Sequence, residues 1–541
     1  MAKTDILILG MRYYSDFIIK LTYAKQIMPI ETELKLIISP NDINKLEQHP
    51  LLQSAIHTRK SQHLHNIYFD STEHDLLQLG IGLRVRHIGN QRLQTLKTAG
   101  NTHGGLHQRQ EWEMPITADT PNYSQFPPGA LPNWCIDKNN LAKIKPLFVT
   151  NFERVTWQVI LEDGSKIEVA LDQGIIENST NSIPLSEVEL ELKAGTADKL
   201  YQVALALQET IPLSIENKSK AAHGYALNEP NIPKYHLAKT VDLNINMTNE
   251  QAFSHIIWHC LNHLQANENM VLHGEDIEGV HQMWVALQRL GSCLSLYNSL
   301  IPKKTHADLR QQIKLITNNL GVARDWDVFA VTIQHIMHHN FVDNCLDDLL
   351  ITVVDKQSQV YATVRNVLRS SNYTRMQLSL GNWLTQRQWR HTLDAAAQRN
   401  LEMPVLNFAN QVLESCYQTT KTLISNFTQF DQEQLHNLRI AIKKFVDGVQ
   451  FFTELYPNDQ VHPYAKVLVR LHNELDIIND SNVATNQLQQ DNIAKDVPAQ
   501  YFLKGWFAHQ QTAHLADLKI IWQTFFDQPT FWNDSIESKN S

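Results

Sequence analysis

The sequence predicts a two-part α+β chain: a strand-rich half followed by an all-helical half. Three observations carry this. Between about residues 30 and 227, apolar and charged residues alternate in short runs, the period of a β-strand. From about 250 to 526 the apolar period becomes that of an α-helix, and Gly and Pro grow sparse. Within that second half, a segment recurs at a constant offset of 155 residues. A chain of 541 residues is also too long for a single core.

In order along the chain, residues 1–27 read as an extension outside the fold, with Met28 as an alternative initiator. The first strand is Ile30-Glu31-Thr32-Glu33-Leu34-Lys35-Leu36, which puts Glu31, Glu33 and Lys35 on one face and apolar residues on the other. A helical pattern covers roughly 40–56. Further strands follow at Leu83-Arg84-Val85-Arg86, Gln94-Thr95-Leu96-Lys97, Arg109-Gln110-Glu111-Trp112-Glu113 and Glu187-Val188-Glu189-Leu190-Glu191-Leu192-Lys193. Gly89-Asn90, Gly104-Gly105 and Asp163-Gly164 are turn signals between them. A second helical pattern covers 196–209. The first domain is therefore expected over 28–227, and 228–250, with Asn228-Glu229-Pro230 and Ile232-Pro233, reads as a linker.

The helical domain is expected over 251–526. Val405, Phe408, Ala409, Val412, Leu413 and Cys416 form one apolar stripe. The segment beginning Val280-His281-Gln282-Met283 aligns without gaps to Leu435-His436-Asn437-Leu438. Gly321-Val322-Ala323-Arg324-Asp325-Trp326 aligns to Asp476-Ile477-Ile478-Asn479-Asp480-Ser481 at the same offset. Two copies of one helical unit, packed as a pseudo-symmetric bundle, are expected. Residues 527–541 form a polar tail.

Composition narrows the class. Hydrophobic content of 43% and charged content of 19% fit a globular protein, and a net charge of -9 argues against bulk nucleic-acid binding. Cys135, Cys260, Cys293, Cys345 and Cys416 show no C-x-x-C spacing, which fits a reduced cytoplasmic protein better than a disulfide framework or zinc site. No run approaches 18 apolar residues, so membrane insertion is not expected.

The chemistry lies in the alternate positions of the strands. Glu31, Glu33, Lys35, Arg84, Arg86, Lys97, Arg109, Glu111, Glu113, Glu187, Glu189, Glu191 and Lys193 either face solvent on an outer surface or line a wet lumen. Inward, without ligands, such charges would be costly. The presence of both signs favours the lumen. Lys and Arg match phosphate oxygens, and carboxylates match Mg²⁺ or Mn²⁺ that bridges to phosphate. No G-x-x-x-x-G-K-[ST] loop is present, so side chains must hold the phosphates.

These residues carry a resemblance. The E-x-E-x-K strand of Glu31, Glu33 and Lys35 is followed in order by Tyr68-Phe69-Asp70, Leu83-Arg84-Val85-Arg86, Thr95-Leu96-Lys97 and Arg109-Gln110-Glu111-Trp112-Glu113. Phe152-Glu153-Arg154, Ala170-Leu171-Asp172-Gln173-Gly174, Glu189-Leu190-Glu191-Leu192-Lys193 and Lys218-Ser219-Lys220-Ala221-Ala222-His223-Gly224-Tyr225 complete the series. The ordered set resembles the CYTH superfamily, which includes triphosphate tunnel metalloenzymes, class IV adenylate cyclases and thiamine triphosphatases. The resemblance implies an eight-stranded antiparallel β-barrel forming a tunnel. It implies phosphate contacts at Lys35, Arg84, Arg86, Lys97, Arg109, Arg154 and Lys220, and metal-binding carboxylates at Glu31, Glu33, Glu189 and Glu191. Glu111, Glu113, Glu187, Lys193 and Lys218 would be helpers. The implied activity is Mg²⁺- or Mn²⁺-dependent hydrolysis of inorganic triphosphate to pyrophosphate and phosphate. A cyclase, an organic triphosphatase and a non-catalytic polyphosphate-binding module are the alternatives. His223 stands where the family often has Arg, which leaves its role open.

The helical half resembles the CHAD domain, on the His281 and His436 segments and on Gly321-Val322-Ala323-Arg324-Asp325-Trp326-Asp327-Val328. That family is associated with polyphosphate, here implying His281, Arg289, Arg324, His436, Arg439, Lys443 and Lys444 as contacts. The chain departs from the family at Trp284, Gln288, Gly291 and Val446, where basic residues are usual. These departures point to weakened polyphosphate binding or to a scaffold.

Overall fold

A computed structural model of the chain describes residues 30–230, 232–339, 346–425, 431–490 and 497–533. The proposed N-terminal extension, the alternative start at Met28, Cys345 and the end of the polar tail lie outside the described residues. Two compact units divide at Pro230 and Asn231.

The first unit is built on ten strands: β1 (Ile30–Ile38), β2 (Lys60–Asp70), β3 (Ile81–Ile88), β4 (Gln91–Thr98), β5 (Asn101–His103), β6 (Leu106–Ile116), β7 (Lys145–Ile160), β8 (Lys166–Glu177), β9 (Ser182–Ala194) and β10 (Leu213–Ile215). Eight of them close a ring in the order β1-β9-β8-β7-β2-β3-β4-β6, and β6 returns to β1. Every pairing is antiparallel. The short β5 and β10 attach to β6 and β1. This is the closed eight-stranded barrel that the resemblance implied.

Strand β1 closes the ring by serving two neighbours. Its first half pairs with β6, Glu31 opposite Arg109, and its second half pairs with β9, Glu33 opposite Glu191 and Lys35 opposite Glu189. Side chains alternate across the pleat, so this register decides which residues share the lumen. The outward residues Leu34, Leu36, Val188 and Leu190 are fully buried. Helix packing on this side explains their burial. The barrel's helices are α1 (Ile43–Glu47), α2 (Pro50–Ser54), α3 (Asp75–Gln78), α4 (Lys138–Leu141), α5 (Asp198–Gln208) and α6 (Lys220–Tyr225). Of these, α5 lies on β9 and β1 and buries Leu200, Tyr201, Val203, Ala204 and Leu207. Burial of each such aliphatic side chain contributes roughly 1.5–3 kcal/mol. The barrel thus has its apolar faces outside, under helices, and its charges inside.

Helix α6 is held to the barrel by contacts at its C-terminal end. The Tyr225 hydroxyl donates to Asp70 Oδ2 at 2.9 Å, and the Tyr225 ring meets Phe148 edge-on. A Cβ on Gly224 would lie 2.0 Å from the Phe148 ring, so the helix can sit this close only with glycine there. Ser219 caps α6 by accepting from the Ala222 amide.

The second unit is helical: α7 (Asn249–Ala266), α8 (Glu268–His273), α9 (Glu278–Leu296), α10 (Ala307–His339), α11 (Asp347–Leu368), α12 (Ser371–Gln386), α13 (Ala395–Glu402), α14 (Val405–Ser425), α15 (Gln432–Phe452), α16 (Asn458–Gln490) and α17 (Val497–Phe526). Thr248 starts it with a capping box to Gln251. Helices α9 and α15 carry the first repeated segment, α10 and α16 the second. Equivalent positions touch across the repeat: Ser292 Oγ donates to Asp447 Oδ2 at 2.6 Å, and these two residues are themselves 155 apart. The expected linker is only partly one, because Val241 and Leu243 are buried in this unit's core. Among the described residues, no helix is long and apolar enough to cross a membrane.

Candidate active site

Six strands send the predicted charged side chains into one cavity of about 980 Å³ inside the barrel. Glu31, Glu33 and Lys35 line it from β1, Arg84 and Arg86 from β3, and Lys97 from β4. Arg109, Glu111 and Glu113 line it from β6, Arg154 from β7, and Glu189, Glu191 and Lys193 from β9. Lys220, the first residue of α6, reaches the same cavity from outside the sheet. The solvated-outer-face alternative is therefore set aside.

Two predicted helpers behave differently. Glu187 is buried behind the cavity and meets it through Lys220. Lys218 is exposed; its backbone amide donates to Glu216 Oε1 at 2.7 Å, and its side chain does not line the cavity. It precedes by two residues Lys220, the start of α6, whose side chain does enter the cavity. His223 also stays off the cavity lining, with Nε2 3.0 Å from Glu216 Oε2.

Three residues without a role expected from sequence join the site: Tyr68 and Glu168 line the cavity, and Asp172 is fully buried against it. Asp172 Oδ1 and Oδ2 accept from Arg154 Nε and Nη2 at 2.7 and 2.6 Å, and Lys220 Nζ lies 2.6 Å from Oδ2. Period two was available as the signal, since Glu168 and Asp172 sit opposite Glu191 and Glu187. The single acidic residue in Ala170-Leu171-Asp172-Gln173-Gly174 hid it.

The lumen is nearly neutral. Eight cationic side chains face nine carboxylates there, so almost every charge has a partner. Lys97 Nζ donates to both Glu31 oxygens at 2.8 and 2.7 Å, and Arg109 Nε donates to Glu31 Oε2 at 3.0 Å. Arg109 also grips Glu33, and Lys35 bonds Glu189. Lys35 Nζ lies 3.0 Å from Glu33 Oε2. Lys193 pairs with Glu191 at 2.7 Å.

These pairings set the titration of the groups. Burial opposes the charge on Lys35, but Glu189 and Glu33 outweigh it and hold its pKa at about 12. Burial likewise opposes charge on Glu189, and Lys220, Lys35 and Arg154 hold it well below the usual carboxylate range. Glu111 and Glu191 go the other way, pushed up by burial despite Lys97 and Lys193. Arg86 is lowered to about 10 by burial and by Arg84 and Arg154. Arg84 and Arg86 are the least neutralised cations of the wall: Arg84 Nη2 is 3.7 Å from Glu111 and Arg86 Nη1 is 3.9 Å from Glu113. Arg84 Nε is buried with no hydrogen-bond partner.

The donor set suits a hard divalent cation. All candidates are carboxylate oxygens, and Asp172, Glu187 and Glu189 bring ligand atoms within 4.8 Å of one another. The cationic wall formed by β3, β4 and β6 suits a polyanion.

In the helical unit, four of the seven predicted polyphosphate contacts are engaged by acidic or aromatic neighbours. Arg289 is 2% exposed and packs over the Phe451 ring at 5.2 Å. Arg324 is buried and makes a bidentate pair with Asp480 at 2.7 and 2.8 Å. Arg439 donates to Asp476 at 2.6 Å and Lys443 to Asp447 at 2.7 Å. His281 is half-buried, its pKa lowered by burial. His436 is exposed and Lys444 half-buried. Helical period placed these residues on the expected faces; it could not show that acidic residues of α15 and α16 would neutralise them.

A model of the CYTH domain matches residues 29–225, and a model of the CHAD domain matches residues 255–489. An inorganic triphosphatase of Haemophilus influenzae is 36% identical over 208 residues, which is 38% of this chain and 56% of that protein. The chain thus spans about half the length of this curated relative. Among solved structures, the CHAD domain of the plant Ricinus communis is 28% identical and covers 55% of this chain and 98% of that one, with a TM-score of 0.48. A putative adenylyl cyclase from Hippeastrum, described as having a dominant triphosphatase activity, is 20% identical and covers 36% of this chain and 95% of that one, with a TM-score of 0.27.

Proposed function

From the premise that this chain is a CYTH domain joined to a CHAD domain, we propose that its barrel hydrolyses inorganic triphosphate to pyrophosphate and phosphate with Mg²⁺ or Mn²⁺. One observation carries the reading: a closed lumen in which buried carboxylates and buried cations interleave, which neither a plain anion-binding site nor a plain metal site requires. The relative in Haemophilus influenzae supports the choice of substrate.

The residues divide the work. Arg84 and Arg86, the least neutralised cations, take the incoming phosphates, and Arg forks bind phosphate in bidentate fashion. Lys35, Lys97, Arg109, Arg154 and Lys220 then surround the chain and stabilise charge that redistributes over the phosphoryl oxygens. Glu31, Glu33, Glu189 and Glu191, with Asp172 behind them, would hold the metal ion. That ion, when bound, supplies charge neutralisation and polarises phosphoryl oxygen. Glu111, raised by burial and 3.3 Å from Lys97, is placed to take a proton from the attacking water. Tyr68, buried on the lumen wall beside Arg84, orients that guanidinium.

For the helical unit we infer a scaffold role, because acidic residues already neutralise Arg324, Arg439 and Lys443 and Arg289 is internal. The test is phosphate release by the full chain from triphosphate, ATP, thiamine triphosphate and long polyphosphate, each with Mg²⁺, Mn²⁺ or EDTA. Release from triphosphate that EDTA abolishes is expected. Preference for ATP or thiamine triphosphate moves the function to an organic triphosphatase, and cyclic AMP as product moves it to a cyclase.

A further inference from the structure

We propose that the tunnel takes up its metal ion and its phosphate chain jointly, because every carboxylate offered to the metal is already paired with a lumen cation; this rests on the function proposed above. Both oxygens of Glu31 are held by Lys97, and Arg109 adds a third bond. Glu33 is held by Arg109 and Lys35, Glu189 by Lys35, Arg154 and Lys220, and Glu191 by Lys193. Glu31, Glu33 and Glu189 are thus engaged by cations offered to phosphate, and Glu191 by Lys193, a further lysine of the lumen.

The consequence follows from burial. A charge in this lumen that loses its partner is heavily penalised. A metal ion arriving alone would claim the carboxylates and leave the lysines facing it unpaired. A phosphate chain arriving alone would claim the lysines and leave the carboxylates facing it unpaired. Arrival of both restores an opposite charge to every group. The two ligands are therefore linked through the protein, and such linkage is reciprocal. Lys97 and Lys193 act as stand-ins for the metal on Glu31 and Glu191, so each attracts phosphate and competes with metal. Removing one should tighten binding of the metal by itself, the opposite of what loss of a binding residue ordinarily does.

The experiment is titration of the full chain with Mn²⁺ in phosphate-free buffer, with free Mn²⁺ followed by its electron paramagnetic resonance signal. Wild type, Lys97→Met, Lys193→Met and Lys199→Met are compared. Lys199 pairs with Asp163 at 2.8 Å and does not line the cavity, so it controls for loss of charge alone. Lys97→Met is expected to bind Mn²⁺ at least tenfold more tightly than wild type. Lys193→Met, at the more exposed pair, should gain less in the same direction, and Lys199→Met should match wild type. Equal or weaker Mn²⁺ affinity in both lumen variants overturns the proposal. Should Lys97→Met fail to fold, Lys193→Met decides by the same sign. Triphosphate hydrolysis by the wild type, measured alongside, separates two failures. An active enzyme with unchanged variant affinities refutes the coupling alone; an inactive one removes the functional reading and the coupling with it.

Discussion

Replacing Lys220 with methionine keeps most of the length of the side chain and deletes its charge. In the structure Lys220 bonds Glu187 and lies 3.0 Å from Glu189 and 2.6 Å from Asp172. Arg154 still covers Asp172 and Glu189 after the change. Glu187 is 3% exposed, and among the described residues its ion pair is with Lys220, so it bears the loss. An uncompensated buried carboxylate costs about 3–5 kcal/mol. Glu187 can escape by taking a proton. From an ordinary glutamate pKa of about 4.3, that costs roughly 3.7 kcal/mol at pH 7 and about 1 kcal/mol at pH 5. Burial and Glu189 already push its pKa upward, so the escape is open. The sign is fixed by linkage. A carboxyl whose folded pKa is raised regains stability as pH falls through that folded value. Lys220→Met should therefore be less stable than wild type by up to about 3.7 kcal/mol at pH 7 and by up to only about 1 kcal/mol at pH 5. The assay is calorimetric unfolding of the full chain in EDTA at both pH values, read as the variant-minus-wild-type difference in the barrel transition. A deficit equal at the two pH values, or larger at pH 5, would refute the reasoning.

Glu31→Ala and Glu191→Ala should each lower triphosphate turnover by on the order of 10²–10³ while leaving the circular dichroism spectrum intact; unchanged turnover in either would sink the site assignment. In the helical unit, Asp327 is raised to about 6 by burial although it accepts from Gln357 and Tyr361. Its ionisation therefore weakens the fold above that pH, and stability should rise by up to about 3 kcal/mol as pH falls from 7 toward 4, a slope that Asp327→Asn should flatten in urea unfolding. Arg324 grips Asp480, but the position related to Arg324 by the repeat is Asn479, so Asp325 lacks the matching clamp and lies 3.4 Å from Arg324. Asn479→Arg should complete the second pair and add up to about 1 kcal/mol of stability; a fall in melting temperature would contradict the pseudo-symmetric placement.

Much of the barrel was legible because strand period is strict. Period two put Glu31, Glu33 and Lys35 on one face; the closed barrel came from the family resemblance, and its register sets Arg109 opposite Glu31 and Glu189 opposite Lys35. Lys220 came from the family resemblance alone, since it stands on a helix that no strand pattern includes. Asp172 escaped because one acid among apolar residues looks like any strand residue, and only three-dimensional closure sets it against Arg154 and Glu187. In the helical unit, faces were readable and neutralisation was not. Arg439 meets Asp476 across two helices separated by a loop, and periodicity within one helix carries no information on that partner. Val241 and Leu243 were read as linker because two apolar residues among Asn and Asp are too few to establish a period.

The closure of the ring by β1 has a consequence for synthesis. Of the ten strands described, β1 is made before the others, and its neighbour β9 emerges some 150 residues later, so that edge of β1 must wait unpaired. At common translation speeds of about 5–20 residues per second, that interval is roughly eight to thirty seconds. No earlier intermediate can mimic the finished pocket, because Glu31 and Glu33 stand on one side of the seam and Glu189 and Glu191 on the other. The charges that make the interior unwelcoming to other apolar chains also guard the waiting edge. The price of such a seam is a slow, non-local final step, and its return is that only a completely assembled barrel can bind anything there.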